Sequence, residues 1–271
     1  WSGHLRVASP DGASVARLFI DRSTALGPPA TLVTRHATVD DEGRLWFATS
    51  HGLLAFLPID PRISALAPVT LSPASQIYSA MVGEDGSVAI GSYRDGLHAK
   101  SSYADGWNRL YQAAPARGKQ HIEAENTITD IEAIGEGRYL VSTYHGIHEA
   151  NMAANRMVPR ADIAALHPLL GRAHFMALEP DTGGWWWAAS WRRGLFHFNI
   201  ELGRCEHYQH DPSEAGSLPI DQLLCLLIDR DGRLWIGCNN GGGLCRYRRE
   251  TNDFERVALN PGDALGEAFG V

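Results

Sequence analysis

One phrase recurs along this chain. "RLWFATSHGLLAF" at 44–56 returns as "RLWIGCNNGGGLCRY" at 233–247, with looser copies between them. The copies read "VDDEGRLWFATSHGLL", "VGEDGSVAIGSYRDGLH", "AIGEGRYLVSTYHGIH", "PDTGGWWWAASWRRGLF" and "IDRDGRLWIGCNNGGGLC". Their equivalent positions, Trp46, Ala89, Leu140, Trp187 and Trp235, lie 43, 51, 47 and 48 residues apart. A near-fixed period of this size restricts the fold to a solenoid, a propeller or an array.

The pattern inside one period selects among these. Each unit has an apolar run such as "LLCLLID" (223–229), a D/E-x-x-G turn, and an aromatic-aliphatic run such as "LWIG". A glycine-bearing turn, a "GL" run and a charged outer run such as "DFERVAL" complete it. Four short runs bounded by turn residues and rich in β-branched and aromatic side chains are four strands. Four strands repeated radially make a propeller blade.

The expected fold is therefore an all-β propeller, whole or a fragment, with five complete four-stranded blades at 30–64, 74–112, 126–158, 172–209 and 220–258. Residues 1–23 would supply the outer half of a blade and 259–271 the start of a further one. Only 161–171, "ADIAALHPLLG", leaves room for a turn of helix. The recurring Trp is read as structural, a large ring packing against the next blade.

Composition narrows the classes of partner. With 24 Lys and Arg against 31 Asp and Glu, the net charge is −7. A general nucleic-acid binder would instead show a basic surface. No apolar run approaches the roughly 20 residues needed to span a bilayer, so no membrane contact by this segment is expected. No basic-then-apolar leader opens the chain, so any signal peptide is expected to have been removed or never included. The four cysteines (Cys205, Cys225, Cys238, Cys245) do not follow a zinc spacing. They are read as buried thiols, with a Cys238–Cys245 bridge across a hairpin as the alternative.

Residues 229–256, "DRDGRLWIGCNNGGGLCRYRRETNDFER", and the preceding "HDPSEAGSLPIDQ" (210–222) resemble the two-component regulator propeller repeat. The 40–57 segment matches nearly as well. The copies around 83–98, 134–148 and 181–196 keep the turn glycines and lose most of the Leu-Trp pair. The resemblance implies the periplasmic sensor region of a hybrid histidine kinase or a membrane-bound diguanylate cyclase, the extracytoplasmic part of a receptor. A homodimer of the full-length receptor is a further expectation.

Framework residues should repeat, whereas residues that serve one ligand should not. The turn between the second and third strands is where the copies differ most. It holds Trp1 and Ser2, Ser50 and His51, Tyr93, Arg94 and Asp95, Tyr144 and His145, Trp191, Arg192 and Arg193, and Asn239 and Asn240. Exposed turns tolerate polar residues without purpose, but Tyr93 and Trp191 have no packing reason to be there. A second set lies near the start of each innermost strand: Arg35 and His36, Tyr78 and Ser79, Thr129 and Asp130, Met176 and Ala177. Strand alternation should send one of each pair toward the channel.

The candidate ligand-binding residues are therefore Tyr93, Arg94, Tyr144, His145, Trp191, Arg192, Arg193, His51, Asn240, Arg35, Tyr78 and Asp130. Aromatic faces stack on sugar rings, and Arg forks grip carboxylate or phosphate. The implied ligand is an oligosaccharide, an acidic sugar or another anion, with no metal and no cofactor.

Two other classes compete. Streptogramin lyases have a similar repeat style and use His, Glu and magnesium, for which His145, His51, His36 and Asp130 are the candidates. A sialidase-like Asp-box resembles "EDGSVAIG", but that chemistry needs an Arg triad and a Tyr nucleophile. Arg35, Arg94, Arg192, Arg193 and Tyr78 have no supporting spacing for those roles. No G-x-S-x-G, H-E-x-x-H or P-loop pattern occurs. A protein-interaction platform would show a broad apolar top face instead of a pocket.

Overall fold

In the computed structural model, side chains are described over 75–82, 87–100, 107–109, 124–151 and 153–257. Strands alone are described for β1 (His4–Ala8), β2 (Val15–Phe19), β3 (Thr34–Val39), β4 (Leu45–Thr49), β5 (Gly52–Leu57) and β6 (Asp60–Ala65). Four antiparallel four-stranded sheets follow one another between Ile77 and Val257. The first comprises β7 (Ile77–Val82), β8 (Val88–Ser92), β9 (Gly96–Lys100) and β10 (Asn108–Arg109). The second runs from β11 (Ile128–Ala133) through β12 (Arg138–Thr143) and β13 (Gly146–Asn151) to β14 (Arg156–Pro159).

The third holds β15 (Phe175–Pro180), β16 (Trp185–Ser190), β17 (Leu195–Asn199) and β18 (Arg204–Tyr208). The fourth holds β19 (Leu223–Ile228), β20 (Leu234–Cys238), β21 (Leu244–Arg248) and β22 (Asp253–Val257). The strands at 34–65 pair in the same order, and those at 4–8 and 15–19 pair as a two-stranded sheet. The architecture is an all-β propeller of four-stranded blades. Of the five complete blades expected, four have all four strands described with their side chains; 34–65 is known by its strand pairing alone, and 259–271 lies outside the described residues. A short helix, α1 (Ala161–Leu166), sits where the sequence left room for one.

The repeated D-x-x-G-x-L-W phrase explains itself locally. In the fourth sheet one oxygen of Asp229 accepts the backbone N–H of Asp231 (2.9 Å) and of Arg233 (3.0 Å), closing the turn. The other accepts Trp235 Nε1 at 2.7 Å and Arg233 Nε at 2.8 Å. Gly232 supplies the left-handed turn residue (φ 76°) that a side chain would resist. These donors hold the Asp229 carboxyl well below the usual carboxylate range, the Trp235 bond foremost.

The third sheet repeats the device. Asp181 accepts Thr182 N–H at 2.7 Å and Trp187 Nε1 at 2.9 Å. An Asp six residues before the Trp thus ties turn to strand in both copies.

The buried apolar residues pack blade against blade. Leu97, Ala89 and Ala99 of the first sheet meet Ile128, Val141 and Met157 of the second. Leu140 and Ile147 of the second meet Phe175, Leu178 and Phe196 of the third, and Ile163 of α1 joins them. Trp187 and Leu195 of the third meet Leu234, Ile236, Tyr247 and Phe254 of the fourth. Trp187 lies edge-on to Tyr247 of the neighbouring blade, ring centroids 4.9 Å apart, as the structural reading of the Trp required.

The cysteines depart from expectation in part. Cys238 and Cys245 are buried, but Cys205 is half-buried and Cys225 is exposed. Cys225 stands opposite Gly237 on the innermost strand, where no side chain covers it from that register position.

Candidate functional site

Each of the five described innermost strands carries an irregularity at the same depth. The pairing register jumps between Thr34 and His36, Ile77 and Ser79, Ile128 and Asp130, Phe175 and Ala177, and Leu223 and Cys225. The extra residues are Arg35, Tyr78, Thr129, Met176 and Leu224. Each pair that simple alternation would have split is therefore a β-bulge, which re-aims a side chain at a rim. Tyr78 and Arg35 are both bulge residues for this reason; the side chain of Arg35 lies outside the described residues.

The residue two before four of these bulges fixes the variable turn. Backbone N–H groups of Tyr93, Tyr144, Trp191 and Asn239 donate to the carbonyls of Gln76 (2.8 Å), Thr127 (3.3 Å), His174 (2.9 Å) and Gln222 (2.9 Å). The strand 2–3 turns and the starts of the inner strands are thus fastened to each other at one end of the blades.

Five rings join across three blades there. Tyr78 stacks on Tyr93 at 5.5 Å, and Tyr93 meets Tyr144 edge-on at 6.4 Å. Tyr144 contacts His174 at 3.4 Å, and His174 stacks on Trp191 at 6.1 Å. The Arg94 guanidinium lies 4.5 Å over the Tyr93 ring, a cation–π arrangement. Arg94 itself has φ 66°, a left-handed backbone that non-glycine residues adopt at some cost. Its backbone N–H donates to Oγ1 of Thr127, just ahead of β11 of the next blade, at 3.2 Å.

His174 was not among the residues picked out from the sequence. It precedes β15 rather than sitting in a turn, and nothing in its local pattern marks it. Burial, with help from the positive charge of Arg192, lowers its pKa to about 4, so the ring is neutral at ordinary pH. Its Nε2 is buried and has no hydrogen-bond partner among the described residues.

Of the expected site residues, Tyr78, Tyr93, Arg94, Tyr144 and Trp191 come together in this belt, with Arg192 exposed beside it. Three others stand apart from its ring contacts. The backbone N–H of His145 donates to Thr143 Oγ1 (2.9 Å) within its own turn. Arg193 N–H donates to Ser190 Oγ (2.6 Å), and its carbonyl bonds the His207 ring (2.6 Å). Asn240 donates to Gln222 Oε1 at 3.2 Å on the fourth sheet. His51 lies outside the described residues.

Asp130 is buried, and its carboxylate is taken up by the backbone: Ile131 N–H at 2.9 Å and Leu178 N–H of the next inner strand at 2.8 Å. Glu179 repeats the reach one blade on, accepting Ile228 N–H at 3.0 Å. These are struts between blades. Among the described residues no cluster of His, Cys, Asp or Glu is arranged to hold a metal ion, and no helix is long and apolar enough to cross a membrane.

Glu132 shares this inner wall. Burial, then the charges of Asp130 and Glu179, push its pKa up to about 9. An unfolded Glu ionises near 4.5, so between those values the folded chain holds a proton that the unfolded chain has lost. Stability contributed by the neutral form therefore falls as pH rises through that window. Glu132→Gln is expected to raise stability by about 1 kcal/mol or more at pH 8 and to flatten the decline between pH 5 and 8. Urea denaturation at several pH values reads both effects.

Comparisons with known proteins agree with the propeller fold. Residues 217–240 match the model of the two component regulator propeller family. A comparison with curated proteins yields no match. Among solved structures, the chain is similar to the extracellular domain of BT3049, described as a hybrid two component system of B. thetaiotaomicron. The TM-score is 0.60 at 20% identity, over 82% of this chain and 29% of that one.

It is also similar to a streptogramin B lyase (TM-score 0.66, 11% identity, 96% of this chain and 77% of that one). A third similarity is to PorZ, a surface component of the type-IX secretion system of Porphyromonas gingivalis (0.62, 16% identity, 89% and 36%). At these identities the likeness is one of fold, and the chain spans less than a third of the first of these relatives. The chain is a β-propeller of four-stranded blades that carries, at 217–240, a two component regulator propeller repeat.

Proposed function

We propose that this propeller is the ligand-binding sensor part of an extracytoplasmic bacterial receptor, and that its ligand is a sugar-like or anionic small molecule. The observation that carries this is the belt of Tyr78, Tyr93, Tyr144, His174 and Trp191, flanked by Arg94 and Arg192. Aromatic faces favour the apolar side of a pyranose, and guanidinium forks favour a carboxylate or phosphate on it. The neutral imidazole at the centre adds no competing positive charge. Likeness to the extracellular domain of a hybrid two component system supports a location outside the cytoplasm, and pairing of full-length chains is part of the same proposal.

Ligand binding would signal through its different affinity for two arrangements of the receptor. The lyase reading is weaker, because the one carboxylate proposed for it, Asp130, is committed to backbone N–H groups.

A thermal-shift screen against oligosaccharides, uronic acids and amino acids tests the proposal. A hit is expected that weakens at least about tenfold, or about 1.4 kcal/mol, in Trp191→Ala and in Arg192→Ala. Hits that survive both changes would remove the belt as the site. Sedimentation of the full receptor ectodomain that shows only monomer at high concentration would count against pairing.

A further inference from the structure

We propose that Cys238 and Cys245 form an intramolecular disulfide under oxidising conditions, pinning the 239–243 turn at the propeller rim. Their Sγ atoms lie 3.9 Å apart, both side chains are buried, and they stand on the adjacent antiparallel strands β20 and β21. Cys245 pairs with Ile236, so Cys238 lies diagonally across from it at the end of the ladder. There Cys238 N–H still donates to the Gly243 carbonyl at 2.8 Å.

The sulfur contact must shorten to about 2 Å for a bond to form. The intervening Asn-Asn-Gly-Gly-Gly turn provides the slack, with left-handed φ at Asn240 (46°), Gly241 (82°) and Gly243 (64°). The two sulfurs share a contact in which either can donate, so either thiol can be the first nucleophile.

The exchange proceeds by two displacements. During refolding, before the pair is buried, the thiolate of one cysteine attacks one sulfur of an oxidant disulfide, such as oxidised glutathione or a protein disulfide, and expels the first oxidant thiolate. The other cysteine, its proton lost to solvent, attacks the protein sulfur of that mixed disulfide and expels the second. The two thiols give up two protons and two electrons, and the oxidant disulfide becomes two thiols. Asn240, one of the residues expected to face a ligand, rides on the closed loop.

The extracytoplasmic reading supplies the setting in which the bond would persist, but the chemistry is testable without it. The full chain is refolded in a glutathione redox buffer, alkylated under denaturing conditions without reductant, and digested with trypsin. Cleavage after Arg233 and Arg246 places both cysteines, and no others, in the 234–246 peptide.

The expected result is labelled Cys205 and Cys225, with the 234–246 peptide unlabelled and about 2 Da lighter than its dithiol form. Prior reduction should restore four labelled cysteines. Four labelled cysteines in the oxidising buffer, or a bridge that includes Cys205 or Cys225, would overturn the proposal. Because this assay needs no ligand, its failure leaves the sensor reading standing, and failure of the ligand screen leaves the bridge standing.

Discussion

Replacing Trp187 with alanine is expected to destabilise the propeller by about 4 kcal/mol, the range for emptying a large buried aromatic site. Three losses combine. The ring is fully buried and fills the junction between the third and fourth sheets, against Leu234, Tyr247 and Phe254. It stacks face to face on His197 at 3.7 Å, with planes 9° apart. Its Nε1 bond to Asp181 disappears, although Asp181 keeps His197 (3.0 Å) and Arg249 (2.7 Å) as partners. The surviving polar partners mean that the effect is dominated by the cavity. Chemical denaturation should show a lower midpoint with little change in slope. Trp187→Phe should recover most of the loss by filling volume without the N–H, and an alanine effect under about 1 kcal/mol would show that the junction repacks.

Gly194→Ala is expected to cost about 3 kcal/mol and to disturb the rim as well. Gly194 has φ 71°, where an L side chain is strained. A Cβ there would also fall inside contact with the Tyr208 carbonyl and within 3.2 Å of Asp221 Oδ1. The obstacle is backbone, which cannot swing aside as a side-chain tip would. Gly194 follows Trp191, Arg192 and Arg193, and it is bonded on both sides: N–H to the Asp221 carbonyl (3.1 Å), and carbonyl to Ser190 N–H (3.0 Å). Shifting it moves the turn that presents Trp191. Loss of stability accompanied by loss of any ligand response is the expected pair of results. A variant as stable as the parent would contradict the geometry.

How much of this could be read beforehand depended on whether the cause was local. The blade phrase was legible because the Asp, the Gly and the Trp of one copy bond to each other, as Asp229, Gly232 and Trp235 do. A device contained in seven residues repeats in the sequence as it does in space. The turns carrying Tyr93, Tyr144 and Trp191 were legible for the opposite reason, since they break a repeat that the framework does not need broken.

The bulges were not legible. Tyr78 and Thr129 look like ordinary alternating strand residues, and only cross-strand pairing reveals the extra position. His174 was missed because its neighbours Tyr144 and Trp191 are brought to it by two different blades. Asp130 was placed with the polar residues of the channel mouth; its amide partner Leu178 is 48 residues away.

The acidic struts along the axis limit how such a body can move. Asp130 holds the second inner strand to the third, and Glu179 holds the third to the fourth. Adjacent blades are thereby clamped at their hubs, so one cannot slide along the axis without dragging the next. A molecule pulling on Tyr144 and Trp191 together would load the second and third wedges and, through Glu179, the fourth. The motion left to them is a shared tilt, felt most at the outer edges, far from where the molecule sits.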